Sequence, residues 1–292
     1  RTTLAALGFA PSTADPSLFL RTYTTLPPFY VLVYVDDLVF ATADTEALAH
    51  VKSEVQKRHT CTYLGELTSY LGLRITRDRA QRTITLTQSP SRRSVTSAKV
   101  LQRFGFSYSS PHSTPQPTGH SLSAPPSDES VEPSGPYPEL VGCLMYLITC
   151  TRPDLAYPLS LLARYAAPGS TESSSCEAEI YARAMAAQEL CWLTYLLTDL
   201  GEAPRSPPVL YVDNKAMLAL CQEHRLEHKT KHIALRYFLA QELQQRGQLR
   251  LAYVASQTNT ADVFTKTLQP CDHQHFCTVL GLVPTVPHLL TS

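Results

Sequence analysis

Apolar residues come first in short β-prone runs and then at helical spacing. Residues 18–40 predict two short strands on either side of a Pro27-Pro28 break. Ala47, Leu48, Val51 and Val55 recur three and four apart, which predicts a helix over 44–59 with these side chains on one face. Leu71 to Thr76 and Thr83 to Thr87, separated by the polar stretch Arg77 to Arg82, predict a hairpin. Ser91 to Phe104 predicts a helix on which Arg92, Arg93, Lys99 and Arg103 make part of the surface positive; a merely solvated basic face is the competing reading. Segments around Tyr137–Leu147 and Thr151–Ala156 predict packing helices, with Pro153 in a first helical turn. A long helix opens at Ser174-Ser175-Cys176-Glu177, with Ala182, Met185, Ala186, Leu190, Leu193, Leu196 and Leu197 as its expected buried stripe. Pro207 to Asp213 and Leu249 to Val254 predict strands, and Asn259 to Asp262 a helix start. The expected class is α+β.

Within the first apolar region, Asp36 and Asp37 stand side by side between Val31-Leu32-Val33-Tyr34-Val35 and Leu38-Val39-Phe40. Side chains alternate faces along a strand, so both carboxylates reach one site only at a tight turn between two buried strands. Burying a carboxylate is costly unless a cation or hydrogen bonds compensate it, so a divalent metal is the natural partner. Hard oxygen ligands favour Mg²⁺ or Mn²⁺. An ordinary solvated Asp-Asp turn is the competing reading.

Composition narrows the choices. A chain of 292 residues with 43% hydrophobic and 17% charged residues can bury globular cores and hold two domains. Zero formal net charge argues against the field of an autonomous high-affinity nucleic-acid binder, so any grip on nucleic acid is expected to be local and salt-sensitive. No apolar run approaches the ~20 residues of a membrane span, and the N-terminus lacks a signal-peptide pattern, so no membrane partner is expected. The eight cysteines follow no repeating framework, and reduced thiols are expected. Cys271-Asp272-His273-Gln274-His275-Phe276-Cys277 offers four zinc-type ligands but lacks the paired Cys-x-x-Cys spacing of structural zinc sites. Residues 107–136 are rich in Ser, Pro and Thr and read as a flexible linker, because they offer too little apolar surface to offset ordering entropy.

Aromatic-x-Asp-Asp between apolar strands, as in Tyr34-Val35-Asp36-Asp37, resembles the catalytic hairpin of reverse transcriptases. Leu7-Gly8-Phe9, Ala14-Asp15-Pro16-Ser17-Leu18-Phe19, Leu64-Gly65-Glu66-Leu67 and Tyr70-Leu71-Gly72 resemble the Pol polyprotein of copia-type retrotransposons. Tyr137 to Gly142 and Thr151-Arg152-Pro153-Asp154 resemble that family's connection region, and the likeness extends over residues 5–285. It implies a reverse transcriptase palm and thumb remnant over 1–106, connection helices over 137–170, a partial RNase H-like α/β domain over 171–270 and a tail over 271–292. It further implies that Asp36 and Asp37 hold metal at a polymerase site, and that Glu177, Asp213 and Asp262 are metal-binding catalytic carboxylates of RNase H. Phosphodiester cleavage by two metals about 3.5–4 Å apart needs carboxylates converging from different elements. Taken singly, Glu177 and Asp262 also fit helix N-terminal charges, and Asp213 a strand-terminal turn.

Under the same likeness, the 91–104 helix would contact the template-primer backbone, and His228 to Tyr237, with Lys229, Lys231, His232 and Arg236, would be the family's basic helix. Implied partners are RNA or DNA template-primer, RNA–DNA hybrid and other Pol chains, in an intracellular setting: cytoplasm, nucleus or virus-like particle. Two parts of the family pattern are missing. Ahead of Arg1 the family carries the fingers and another metal-binding palm Asp; between Gly169 and Ser173 it carries the first RNase H strands and their first catalytic Asp, where this chain has Ser170-Thr171-Glu172. Strands near 209–213 and 249–254 are then expected to lack their principal partner and to leave an exposed edge. The resulting expectation is an RNA-directed DNA polymerase with RNase H as a truncated, weakly active or inactive fragment. The alternative is a non-catalytic remnant that binds nucleic acid or the intact polymerase.

Overall fold

The computed structural model describes residues 1–22, 27–88, 96–119, 136–166, 175–214 and 239–283. It is a mixed helix and sheet protein that divides into two compact units, one of Arg1–Glu66 with Ser173–Val254 and one of Leu67–Glu172 with Ala255–Ser292.

The first unit is built on an antiparallel sheet in the order β1 (Ala10–Pro11), β2 (Leu18–Arg21), β3 (Phe29–Tyr34) and β4 (Asp37–Thr42). Helix α1 (Thr2–Ala6) precedes it and α2 (Thr45–Arg58) follows. Along β3, Phe29 and Val31 are buried and Val33 packs beside them, so the odd-numbered positions face the core, as period-two alternation requires. They meet Leu4, Phe9, Phe19, Val51 and Val55, with Ala47 and Leu48 against the same cluster, which is the α2 face that the helical spacing predicts. Asp44 caps α2 by accepting from the Ala47 amide at 2.9 Å, and Lys57 and Arg58 in the last turn suit the helix dipole.

Helix α6 (Ser175–Asp199) packs in this unit differently from the expectation. Met185 and Leu193 are 44% and 45% exposed and Ala182 is exposed, whereas Ala184 and Ala187 are buried. Ala187 and Cys191 meet Ala240, Leu243, Leu249, Leu210 and Leu251. Small side chains let the helix backbone approach its neighbours closely, so the buried face is the Ala and Cys face rather than the one richest in large apolar residues. Strands β8 (Val209–Val212) and β9 (Arg250–Tyr253) pair in parallel with each other as a two-stranded sheet. Both strands are therefore edges among the described residues.

In the second unit, β5 (Ser69–Tyr70), β6 (Leu73–Asp78) and β7 (Thr83–Gln88) form a meander that includes the predicted hairpin. Leu71 and Gly72 both have positive φ, 48° and 84°, the combination that a tight two-residue hairpin turn demands. Helices α3 (Ser97–Arg103), α4 (Tyr137–Cys150) and α5 (Ala156–Ala166) follow, with a 3₁₀ turn at Pro153–Leu155 leading into α5. Helix α3 begins at Ser97 behind a Thr96 cap; residues 89–95, including Arg92 and Arg93, lie outside the described residues. Tyr137 donates its hydroxyl to the Leu162 carbonyl at 2.6 Å, tying α4 to α5. A 3₁₀ segment Thr260–Phe264 and helix α7 (Pro270–Val279) complete the unit. Among the described residues, no helix is long and apolar enough to cross a membrane.

Candidate functional site

The aspartate doublet sits at the tip of the β3–β4 hairpin. Tyr34 pairs with Asp37 across a two-residue turn of Val35 and Asp36. Val35 has φ of +50°, and a positive φ at the first central position fits the primed turns that match strand twist. Residues opposite each other in an antiparallel pair share a face, so Asp37 shares the face of Tyr34 and Tyr30, away from the α2 core. Asp36 stands beside it in the turn. Both carboxylates are exposed, so the turn geometry holds as expected but the burial argument for a metal does not: solvent already stabilises these charges. What the hairpin supplies is two adjacent hard oxygen donors, open to an incoming ion.

The three downstream carboxylates fare differently. Glu177 is the third residue of α6, as predicted, and Asp213 directly follows β8 at an exposed position; both belong to the first unit. Asp262 belongs to the second unit and is buried at 5% exposure. Convergence of the trio is thus not a property of either unit. Asp262 also has local partners: Asn259 Nδ2 donates to Oδ1 and Lys266 Nζ to Oδ2, both at 2.9 Å. These contacts make it a turn-stabilising side chain within the Thr260–Phe264 segment.

Of the basic residues, Lys99 is half-buried on α3, and Arg103 forms an ion pair with Glu139 on α4. Lys229, Lys231, His232 and Arg236 lie outside the described residues. Exposed pairs such as Arg103–Glu139 contribute about 0–1 kcal/mol.

Among the described residues, the group whose ligand atoms come together is Asp154, His273 and Cys277, within 4.8 Å of one another in the second unit. Burial pushes the Cys277 thiol up and the His273 imidazole down, which keeps both neutral near pH 7. Sequence spacing pointed at the Cys271–Cys277 stretch but not at Asp154, because the third member is over a hundred positions away in the chain. The helix explains the rest: a separation of four puts His273 and Cys277 on one face, while Cys271 and His275 are exposed.

Residues 1–117, which include the hairpin, match the reverse transcriptase (RNA-dependent DNA polymerase) family. The chain as a whole is similar to copia-type retrotransposon Pol polyproteins. The Pol polyprotein of transposon RE2 from Arabidopsis thaliana is 28% identical over 98% of the chain. That of transposon TNT 1-94 from Nicotiana tabacum is 24% identical over 87%, and that of RE1 from Arabidopsis thaliana 26% over 98%. In each case the chain spans 24% of the relative's length. The alignment with RE2 runs over 364 positions, more than the 292 residues here, so the relative has residues inside the aligned region that this chain lacks. No solved structure matches the chain.

Proposed function

We propose that the chain is a segment of an RNA-directed DNA polymerase in which Asp36 and Asp37 hold Mg²⁺ or Mn²⁺ against the phosphates of an RNA or DNA template-primer and its incoming nucleotide. The observation that carries this reading is the turn itself. Val35 takes a strained φ, Asp37 stands on the sheet face that α2 leaves open and Asp36 adjoins it in the turn, inside the reverse transcriptase match. A divalent ion bound there supplies Lewis-acid stabilisation of phosphoryl oxygens. The chain's own contribution is positional: the β3–β4 ladder holds Asp37 opposite Tyr34 and closes the two-residue turn that carries Asp36. Lys99 and Arg103 on α3 would grip the nucleic-acid backbone in a salt-dependent manner.

For the downstream half we favour a non-catalytic remnant of an RNase H-like domain. Both oxygens of Asp262 are engaged by Asn259 and Lys266, and the aligned relative carries internal residues absent here. In this reading Glu177 and Asp213 retain an inherited carboxylate pattern without a complete two-metal site, and this half serves to bind hybrid or other Pol chains.

Primer extension on an RNA template with the purified chain tests the proposal. Mg²⁺-dependent deoxynucleotide incorporation that Asp36→Asn abolishes supports a polymerase site. No incorporation at any Mg²⁺ or Mn²⁺ concentration, with hybrid binding that weakens as salt rises, assigns the whole chain to the non-catalytic class.

A further inference from the structure

A metal site of a different chemical kind lies in the second unit. Asp154 stands in the Pro153–Leu155 turn with its side chain buried, and Arg152 grips it in a fork: Nε donates to Oδ1 at 2.9 Å and Nη2 to Oδ2 at 2.7 Å. Each carboxylate oxygen has two lone-pair directions, so the fork leaves one free on each. From α7, His273 and Cys277 face the same place. Cys277 Sγ lies 3.8 Å from both His273 ring nitrogens, so it points squarely at neither, and the contact is a poor hydrogen bond. Zinc bond lengths to sulfur and nitrogen imply a tetrahedral edge of about 3.5 Å, so the separation is near that of two ligands of one ion, and turning the imidazole about its side-chain torsions aims one ring nitrogen at the ion. The three ligand atoms together span no more than 4.8 Å, so rotamer changes of His273 and Cys277 bring them within reach of one ion without moving the backbone.

We propose that Asp154, His273 and Cys277 form a binding site for a borderline-soft divalent ion of the zinc class, with an exchangeable fourth position. Thiolate and imidazole select such an ion over Mg²⁺, so this site and the Asp36–Asp37 hairpin take different metals. Binding converts the Cys277 thiol to thiolate and releases its proton to solvent. Thiolate and carboxylate then balance the charge of the ion, and Arg152 remains the outer partner that orients the carboxylate. The ion would staple α7 to the turn that begins α5, joining two parts of this unit that are distant in sequence.

Titration of the purified full chain with Co²⁺ tests the site, because thiolate coordination gives an intense near-ultraviolet charge-transfer band. The expected result is a band saturating at one equivalent, displaced by Zn²⁺, lost in Cys277→Ser and kept in Cys271→Ser. Loss of an outer partner alone weakens metal binding about 10–100-fold, so His273→Ala should weaken Co²⁺ binding by no less. A band that survives in Cys277→Ser, or none at one equivalent, overturns the proposal. A second measurement needs no variant: Zn²⁺ should slow alkylation of Cys277 at least about tenfold, in proportion to its occupancy, while leaving exposed Cys271 unchanged. Equal alkylation of Cys277 with and without Zn²⁺ also overturns it.

Discussion

Ser12 donates its hydroxyl to the Asp199 carboxylate at 2.6 Å, and through that bond the last residue of α6 holds the loop between β1 and β2. The same oxygen accepts from the Thr13 amide at 2.8 Å, the Thr13 hydroxyl at 3.0 Å and the Ala14 amide at 3.3 Å. Nearby, Trp192 donates to the Ala14 carbonyl and Tyr30 to the Leu200 carbonyl. A carboxylate at a helix C-terminus is opposed by the dipole, so these donors are what stabilise it. The Ala14-Asp15-Pro16-Ser17 stretch, singled out by resemblance, thus has a structural use: Asp15 Oδ1 accepts from the Ser17 amide, and Ser12 Oγ from the Ala14 and Asp15 amides.

Hydrogen bonding from Ser12 first, then Thr13 and Ala14, holds the Asp199 carboxyl below its ordinary value. Its stabilising effect is therefore present above the unfolded carboxylate pKa, about 3.9, and is lost as pH falls through that range toward the lower folded value. Asp199→Ala should remove it at every pH. Hydrogen-exchange protection of the Thr13 and Ala14 amides is the readout: it should fall in Asp199→Ala and in the wild type on acidification, and unchanged protection in the variant would show the contact to be incidental.

Val35 is β-branched, 83% exposed and held at a positive φ. Left-handed backbone costs an L-residue roughly 1–2 kcal/mol, and glycine avoids that at some cost in chain entropy. Val35→Gly should raise stability by about 1 kcal/mol in urea unfolding. A loss of stability instead would mean that the valine side chain has a packing role.

Gly72 combines a φ of +84° with a close approach, since a Cβ there would lie 2.8 Å from the Tyr146 hydroxyl. Gly72→Ala should cost at least about 1–2 kcal/mol from backbone strain alone. In the Tyr146→Phe background the steric part should vanish while the backbone part persists, giving a measurable coupling in a double-mutant cycle. Strict additivity would place the clash elsewhere.

Asp262 has a buried side chain, and its partner Lys266 is half-exposed and can return to water. Asp262→Ala should then cost about 1–3 kcal/mol through the lost hydrogen bonds, with any ribonuclease background unchanged. A variant as stable as wild type but altered in metal-dependent hybrid cleavage would reverse the assignment and make the residue catalytic.

Local pattern was enough for much of the first unit. Alternation from Phe29 to Phe40 and the spacing of Ala47, Leu48, Val51 and Val55 specify a hairpin and an amphipathic helix with few alternatives, and the Asp36–Asp37 turn between the strands was legible for the same reason. The stripe on α6 was not. Residue hydrophobicity favoured Met185 and Leu193, yet closeness of approach decided for Ala184, Ala187 and Cys191, a property of the partner surface rather than of the helix.

Electrostatic environment is likewise a tertiary quantity. Two aspartates in an apolar run suggested buried charge, but a hairpin tip projects into solvent, and the sequence has no term for where a turn ends up. The bonds that Asp262 accepts from Asn259 and Lys266 are likewise visible only in the folded chain. Short-range periodicity and motif order sufficed for most strands and helices and for the likeness to reverse transcriptases, but not for α7, which lies in the stretch read as a tail. Only the tertiary structure decided which side chains meet, as when Asp154 joins His273 and Cys277, because contacts between residues far apart in the chain arise when separate elements pack against one another.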